Sequence, residues 1–183
     1  MLALALTLAV SILGPVVQTA TDSPDARLAS EFLQQVESYV ALHRKMDATL
    51  SEVPEGGSPD QILQHQRSLE VLIRSVRRKA KAGDLFTRDV RAYFRRQIAK
   101  AITGPHGREI RDSIMEENPR NIRLAVNARY PDSIPYSTTP APILLLLPTL
   151  PEELEYRFVG DRLVLLDIHA GTVVDYIDHA LGG

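Results

Sequence analysis

Near the C-terminus, Asp167, His169, Asp175, Asp178 and His179 bring together the carboxylate and imidazole donors that divalent metals take. Residues two apart on a strand share a face, so Asp167 and His169 would project together and Asp175 could meet them from a neighbouring strand. Asp167, His169 and Asp175 are therefore the candidate metal set, although polar residues flanking turns produce the same pattern with nothing bound. A second constellation is cationic. Arg88, Arg91, Arg95, Arg96 and Lys100 fall on the polar side of an expected helix, where they would offer a binding face to an anionic partner. A simply solvated face gives the same pattern.

Other chemistry is excluded by residue type. The chain has no Cys, so thiolate nucleophiles, disulfides and zinc ribbons are ruled out. It contains neither the G-x-S-x-G elbow nor the phosphate-binding and dinucleotide glycine patterns. Glu116-Glu117 and Glu152-Glu153 are sequence neighbours that point apart on a helix or strand, and are expected to face solvent. Catalytic residues are therefore unassigned and no cofactor is implied. His43 lies on an apolar stripe, which predicts a hydrogen-bonded histidine at the edge of the core rather than a metal ligand.

The elements that must carry these residues begin with Ser23-Pro24-Asp25, a cap, first position and acidic first turn that start a helix. Leu28, Phe32, Val36, Tyr39, Val40, His43, Met46 and Leu50 continue it as one stripe. Ser58-Pro59-Asp60-Gln61 has capping-box spacing and opens a second helix, expected to run through Ala80 to a stop at Gly83. The two should form an antiparallel hairpin. Thr87 caps a third helix ending at Gly104-Pro105, and a shorter fourth is expected over Arg108 to Glu117.

The period then changes from helical to alternating. Ile122, Leu124 and Val126 have strand spacing, and the proline-rich stretch from Pro131 to Pro151 reads as an extended crossing segment. Its apolar run, Ile143 to Leu147, is too short to span a membrane. Leu154 to Val159, Arg162 to Ile168 and Thr172 to Ile177, joined at Gly160-Asp161 and Ala170-Gly171, form a three-stranded antiparallel meander. The expected fold class is α+β, with helices first and the small sheet last.

Residues 1–20 read as an export signal, because the uncharged apolar run Leu2 to Leu13 has the length of a secretory core and breaks at Gly14-Pro15. Cleavage is expected after Ala20, with an uncleaved anchor as the alternative. Residues 21–183 are then a single domain: a helical part over 22–118, and the crossing segment and meander over 119–183. Charge is also unevenly distributed. Residues 67–129 hold 16 Lys and Arg against 7 Asp and Glu, whereas the remainder holds 5 against 16, so a net charge of −2 conceals a basic middle.

The segments Val126-Asn127-Ala128-Arg129-Tyr130-Pro131 and Leu150-Pro151-Glu152-Glu153-Leu154-Glu155-Tyr156-Arg157-Phe158-Val159-Gly160, with Leu163 to Ile177, resemble a family of exported bacterial proteins of unknown function. The resemblance implies export and a shared fold, but no activity. More loosely, the meander is similar to the hairpin module of periplasmic nickel and cobalt homeostasis proteins. The expectation for function is an exported, non-enzymatic binding or envelope-associated protein. Its partner would be an anionic envelope component or another protein rather than a specific nucleic acid. The alternative is an envelope hydrolase or metal-handling protein whose site is assembled from distant residues.

Overall fold

The first helix, α1 (Pro24–Asp47), starts where its cap signal places it, with the Ser23 hydroxyl accepting from the Ala26 amide at 3.0 Å. The described residues of this computed structural model are 23–116, 118, 122–134 and 137–182; the expected signal at 1–20 lies outside them. In α2 (Pro59–Val76) both halves of the capping box form between Ser58 and Gln61. Thr87 caps α3 (Arg88–Ile102), and α4 (Gly107–Glu116) follows after a short turn.

Two expectations about the elements are corrected. The second helix stops at Val76, well short of Ala80. The side-chain Nδ2 of Asn127 donates to the Arg77 carbonyl at 2.7 Å, while Arg77 Nη1 donates back to Asn127 Oδ1 at 2.8 Å. That carbonyl is the acceptor a continuing helix would need. Nor is the alternating stretch from Ile122 a named strand: Asn127 takes a left-handed φ of 62° and breaks the extended run. What remains of pairing there is the bridge from Arg129 to Thr172, with backbone bonds from Asn127 to Val173, Val173 to Ala128 and Tyr130 to Gly171. Within the crossing segment, Pro140 and Pro142 suit a helix start, and one turn forms as α5 (Ala141–Leu144).

The meander forms as read. β1 (Leu154–Val159), β2 (Arg162–Asp167) and β3 (Thr172–Ile177) pair antiparallel in the order β1-β2-β3. Gly160 and Gly171 turn the two hairpins at φ 63°, a conformation in which a Cβ is strained. A bulge between Leu165 and Leu166 leaves Val174 as the extra residue opposite. The molecule is α+β, its helices contacting one another and packing on one face of this sheet.

Both faces of the sheet are covered. On the helix side, Phe32 and Phe94 pack against Tyr156, with the Phe32 and Phe86 rings stacked at 5.2 Å and Phe94 edge-on to both. Leu163, Leu165 and Ile177 complete that core. On the other side Val164, Leu166 and Val173 are covered by Tyr130, with Ile122, Leu124 and Ile134 at the margin. β2 is therefore buried on both faces, which explains its nearly uninterrupted apolar sequence. Among the described residues, no helix is long and apolar enough to cross a membrane.

Candidate functional site

Asp167 ends β2 fully buried, and its carboxylate meets three groups from two parts of the chain. Tyr39 donates its hydroxyl to Oδ2 at 2.7 Å, His43 Nδ1 lies 2.6 Å from the same oxygen, and the Ala170 amide donates to Oδ1 at 2.7 Å. Tyr39 and His43 are one helical turn apart on α1, so both reach the same point on the sheet. Desolvation works against charge on His43, but the hydrogen bond and charge of Asp167, with Glu153 and Asp47 beyond, overcome it and raise the imidazole above its ordinary range. The expectation for His43 is met in kind: it is hydrogen-bonded, and only 2% exposed.

Glu153 corrects the expectation that the Glu152-Glu153 pair faces solvent. It is buried, and Arg44 Nε donates to its Oε1 at 2.5 Å from an exposed side chain on α1. Burial alone would raise the Glu153 pKa; the Arg44 hydrogen bond, its own backbone amide and the Arg44 charge bring it below the ordinary value.

Asp175, also buried, binds a different part of the chain. The amides of Gly83, Leu85 and Phe86 donate to its carboxylate at 2.9 Å each, and its neighbour Tyr176 donates at 2.8 Å. The bulge in β3 makes this reach available, since Val174 joins the helix-side core while Asp175 beside it engages the loop between α2 and α3. Arg77 links the two acids: its guanidinium lies 4.8 Å over the Tyr39 ring, and Nη2 donates to the Val174 carbonyl at 3.3 Å. A buried polar belt thus runs from the α2–α3 loop through Asp175, Arg77, Tyr39 and Asp167 to His43.

The three candidate metal residues are consequently not brought together around an open position. Asp167 faces α1, Asp175 is filled by backbone amides, and His169 is exposed in the β2–β3 turn with its ring 5.7 Å from that of His43. Among the described residues, no group of three His, Asp or Glu side chains is arranged to hold a metal ion. Asp178 and His179 are engaged separately, by Arg162 at 2.8 Å and Asp161 at 2.6 Å.

The five candidate cations on α3 divide into two groups. Arg95 donates to the Asp178 carbonyl and Arg96 pairs with Asp25 at 2.7 Å, so these two hold the helix to its surroundings, while Lys100 donates to Gln97 within α3. Arg91 is half-buried, its guanidinium packed over Gly83, where an added Cβ would meet it at 2.9 Å. Arg88 is exposed. Also exposed are three cations of the basic middle of the chain, Arg78, Lys79 and Lys81, on the turn that follows the early end of α2. Among the described residues, these four side chains make no ion pair or hydrogen bond. The loop that presents them is the one fastened by Asp175. The signal that could have located them is the run Arg77-Arg78-Lys79-Ala80-Lys81, which helical spacing alone places in the last turn of α2.

No family model matches the chain, and neither the curated proteins nor the solved structures compared with it contain a match.

Proposed function

We propose that the protein is an exported, non-enzymatic binding protein that holds an anionic component of the envelope on the cationic surface between α2 and α3. The observation that carries this reading is the set Arg78, Lys79, Lys81 and Arg88, all exposed, on or directly after the loop whose Gly83, Leu85 and Phe86 amides are held by Asp175. Three cations on this loop and one at the first residue of α3 meet a phosphate-bearing surface without first ordering the chain that carries them, so less of the binding energy is spent on conformational entropy. Lipid headgroups and anionic polymers share the required chemistry, each nearby Lys or Arg contributing about 1 kcal/mol at an anionic membrane surface. The buried His43–Asp167 pair supports a fastening role rather than acid–base chemistry, because both side chains are closed off from solvent.

The test compares the full chain with a variant in which Arg78, Lys79, Lys81 and Arg88 are all Ala. Binding is measured to vesicles of phosphatidylcholine with about one-third phosphatidylglycerol, to phosphatidylcholine alone, and to soluble polyphosphate. The expected result is binding to at least one anionic probe and a loss of about 30-fold or more in the variant, with an unchanged thermal midpoint. Vesicle binding alone identifies the lipid source, and polyphosphate binding alone the polymer. Wild-type binding to neither, or equal binding by the variant, overturns the proposal.

A further inference from the structure

We infer that the face formed by α5 and the outer edge of β1 is an interface between two copies of this chain. Leu145, at 86% exposure, is the most exposed large apolar side chain among the described residues, and Leu144 beside it is 45% exposed. Ile143 and Leu147 of the same run are buried, so one turn of helix anchors inward while presenting two leucines outward. Immediately alongside is a groove of about 420 Å³, with Leu144, Pro148, Leu150, Leu154 and Tyr156 in its lining. An apolar projection next to an apolar groove is self-complementary: under a two-fold axis, each copy's Leu145 enters the other's groove.

The surrounding polar groups select the second copy over other occupants. An added β-strand is disfavoured because the edge of β1 is already engaged: the Ser137 hydroxyl donates to the Phe158 carbonyl, and that of Thr139 to the Tyr156 carbonyl at 2.7 Å. The rim carries Glu155 and Arg157, two residues apart on β1 and paired with one another. A two-fold axis beside Tyr156 sets Glu155 of one copy against Arg157 of the other in both directions, so opposite charges meet and the two ion pairs become a network. The exposed cations lie near the α2–α3 loop that Asp175 of β3 holds, and β3 is the opposite edge of the sheet. Association through β1 therefore does not press the two basic surfaces together.

Sedimentation velocity on the full chain, from about 1 to 300 µM, tests the inference. A reversible monomer–dimer equilibrium is expected. Leu145→Asp should weaken it about 30-fold or more, the effect of losing a central apolar anchor, without changing the thermal midpoint of so exposed a site. Glu155→Lys and Arg157→Glu should each weaken self-association, whereas an equimolar mixture of the two should form heterodimers. A chain that remains monomeric throughout, association that persists unchanged in Leu145→Asp, or a mixture that fails to associate overturns the inference. A monomer that binds neutral vesicles through Leu145 overturns it as well.

Discussion

Asp167 joins α1, the end of β2 and the β2–β3 turn through one carboxylate, and removing it strands partners on α1 and in the turn. Asp167→Ala is expected to cost about 3–5 kcal/mol in denaturant unfolding, because it leaves a buried imidazole without its counter-charge and two further donors without an acceptor. The pH dependence follows from the directions of the two shifts. His43 is raised from 6.5, so its contribution is fully present below that value and is lost as pH rises through the folded-state value. Glu153 is lowered from 4.5, so its contribution is present above that value and is lost as pH falls through the folded-state value. Unfolding free energy should therefore decline on the alkaline side of 6.5, and His43→Gln should flatten that limb while leaving the acid limb in place. Chemical denaturation across this range checks both. At this scale the sequence identified Asp167 and Asp175 as chemically notable, but not their partners. Tyr39 and His43 lie more than 120 residues from Asp167, and amide donors such as those on Asp175 leave no mark on side-chain spacing.

Helix starts were legible because caps are local: Ser23, Ser58 and Thr87 each bond an amide three residues on. The end of α2 was not, since what stops it is the Asn127 side chain, 50 residues away. Asn127→Ala is expected to destabilise by about 1–3 kcal/mol, losing two hydrogen bonds to Arg77 and placing Ala at a positive φ. Its amide-exchange signature should be a selective loss of protection over residues 77–81. Asp175→Ala should cost about 2–4 kcal/mol by leaving the amides of Gly83, Leu85 and Phe86 without their acceptor. Because that loop presents the exposed cations, the same variant should weaken anion binding under conditions where it remains folded. The bulge at Val174 was likewise hidden, because an extra residue breaks the two-residue period on which the strand reading depends.

Across the whole molecule, the helices-first, meander-last layout followed from a change in apolar period that any single sequence displays. The second face of the sheet was harder to foresee. Its cover is the irregular segment around Tyr130, which has neither period. The basic middle of the chain also resolves into unlike parts: Arg77 is drawn into the buried belt, Arg95 and Arg96 tie α3 in place, and Arg78, Lys79, Lys81 and Arg88 are left at the surface. Export, proposed from the Leu2 to Leu13 run, predicts a mature chain beginning at Thr21 when the protein is recovered from outside the cytoplasm and its N-terminus is sequenced. A chain recovered only from the cytoplasm with residues 1–20 retained would contradict it. The central claim, an electrostatic binding surface, is tested most directly by the salt dependence of binding to the anionic probe that the full chain prefers. Affinity should fall about 10-fold or more between 50 and 300 mM salt as charge attraction is screened; affinity that is unchanged over that range would contradict the account.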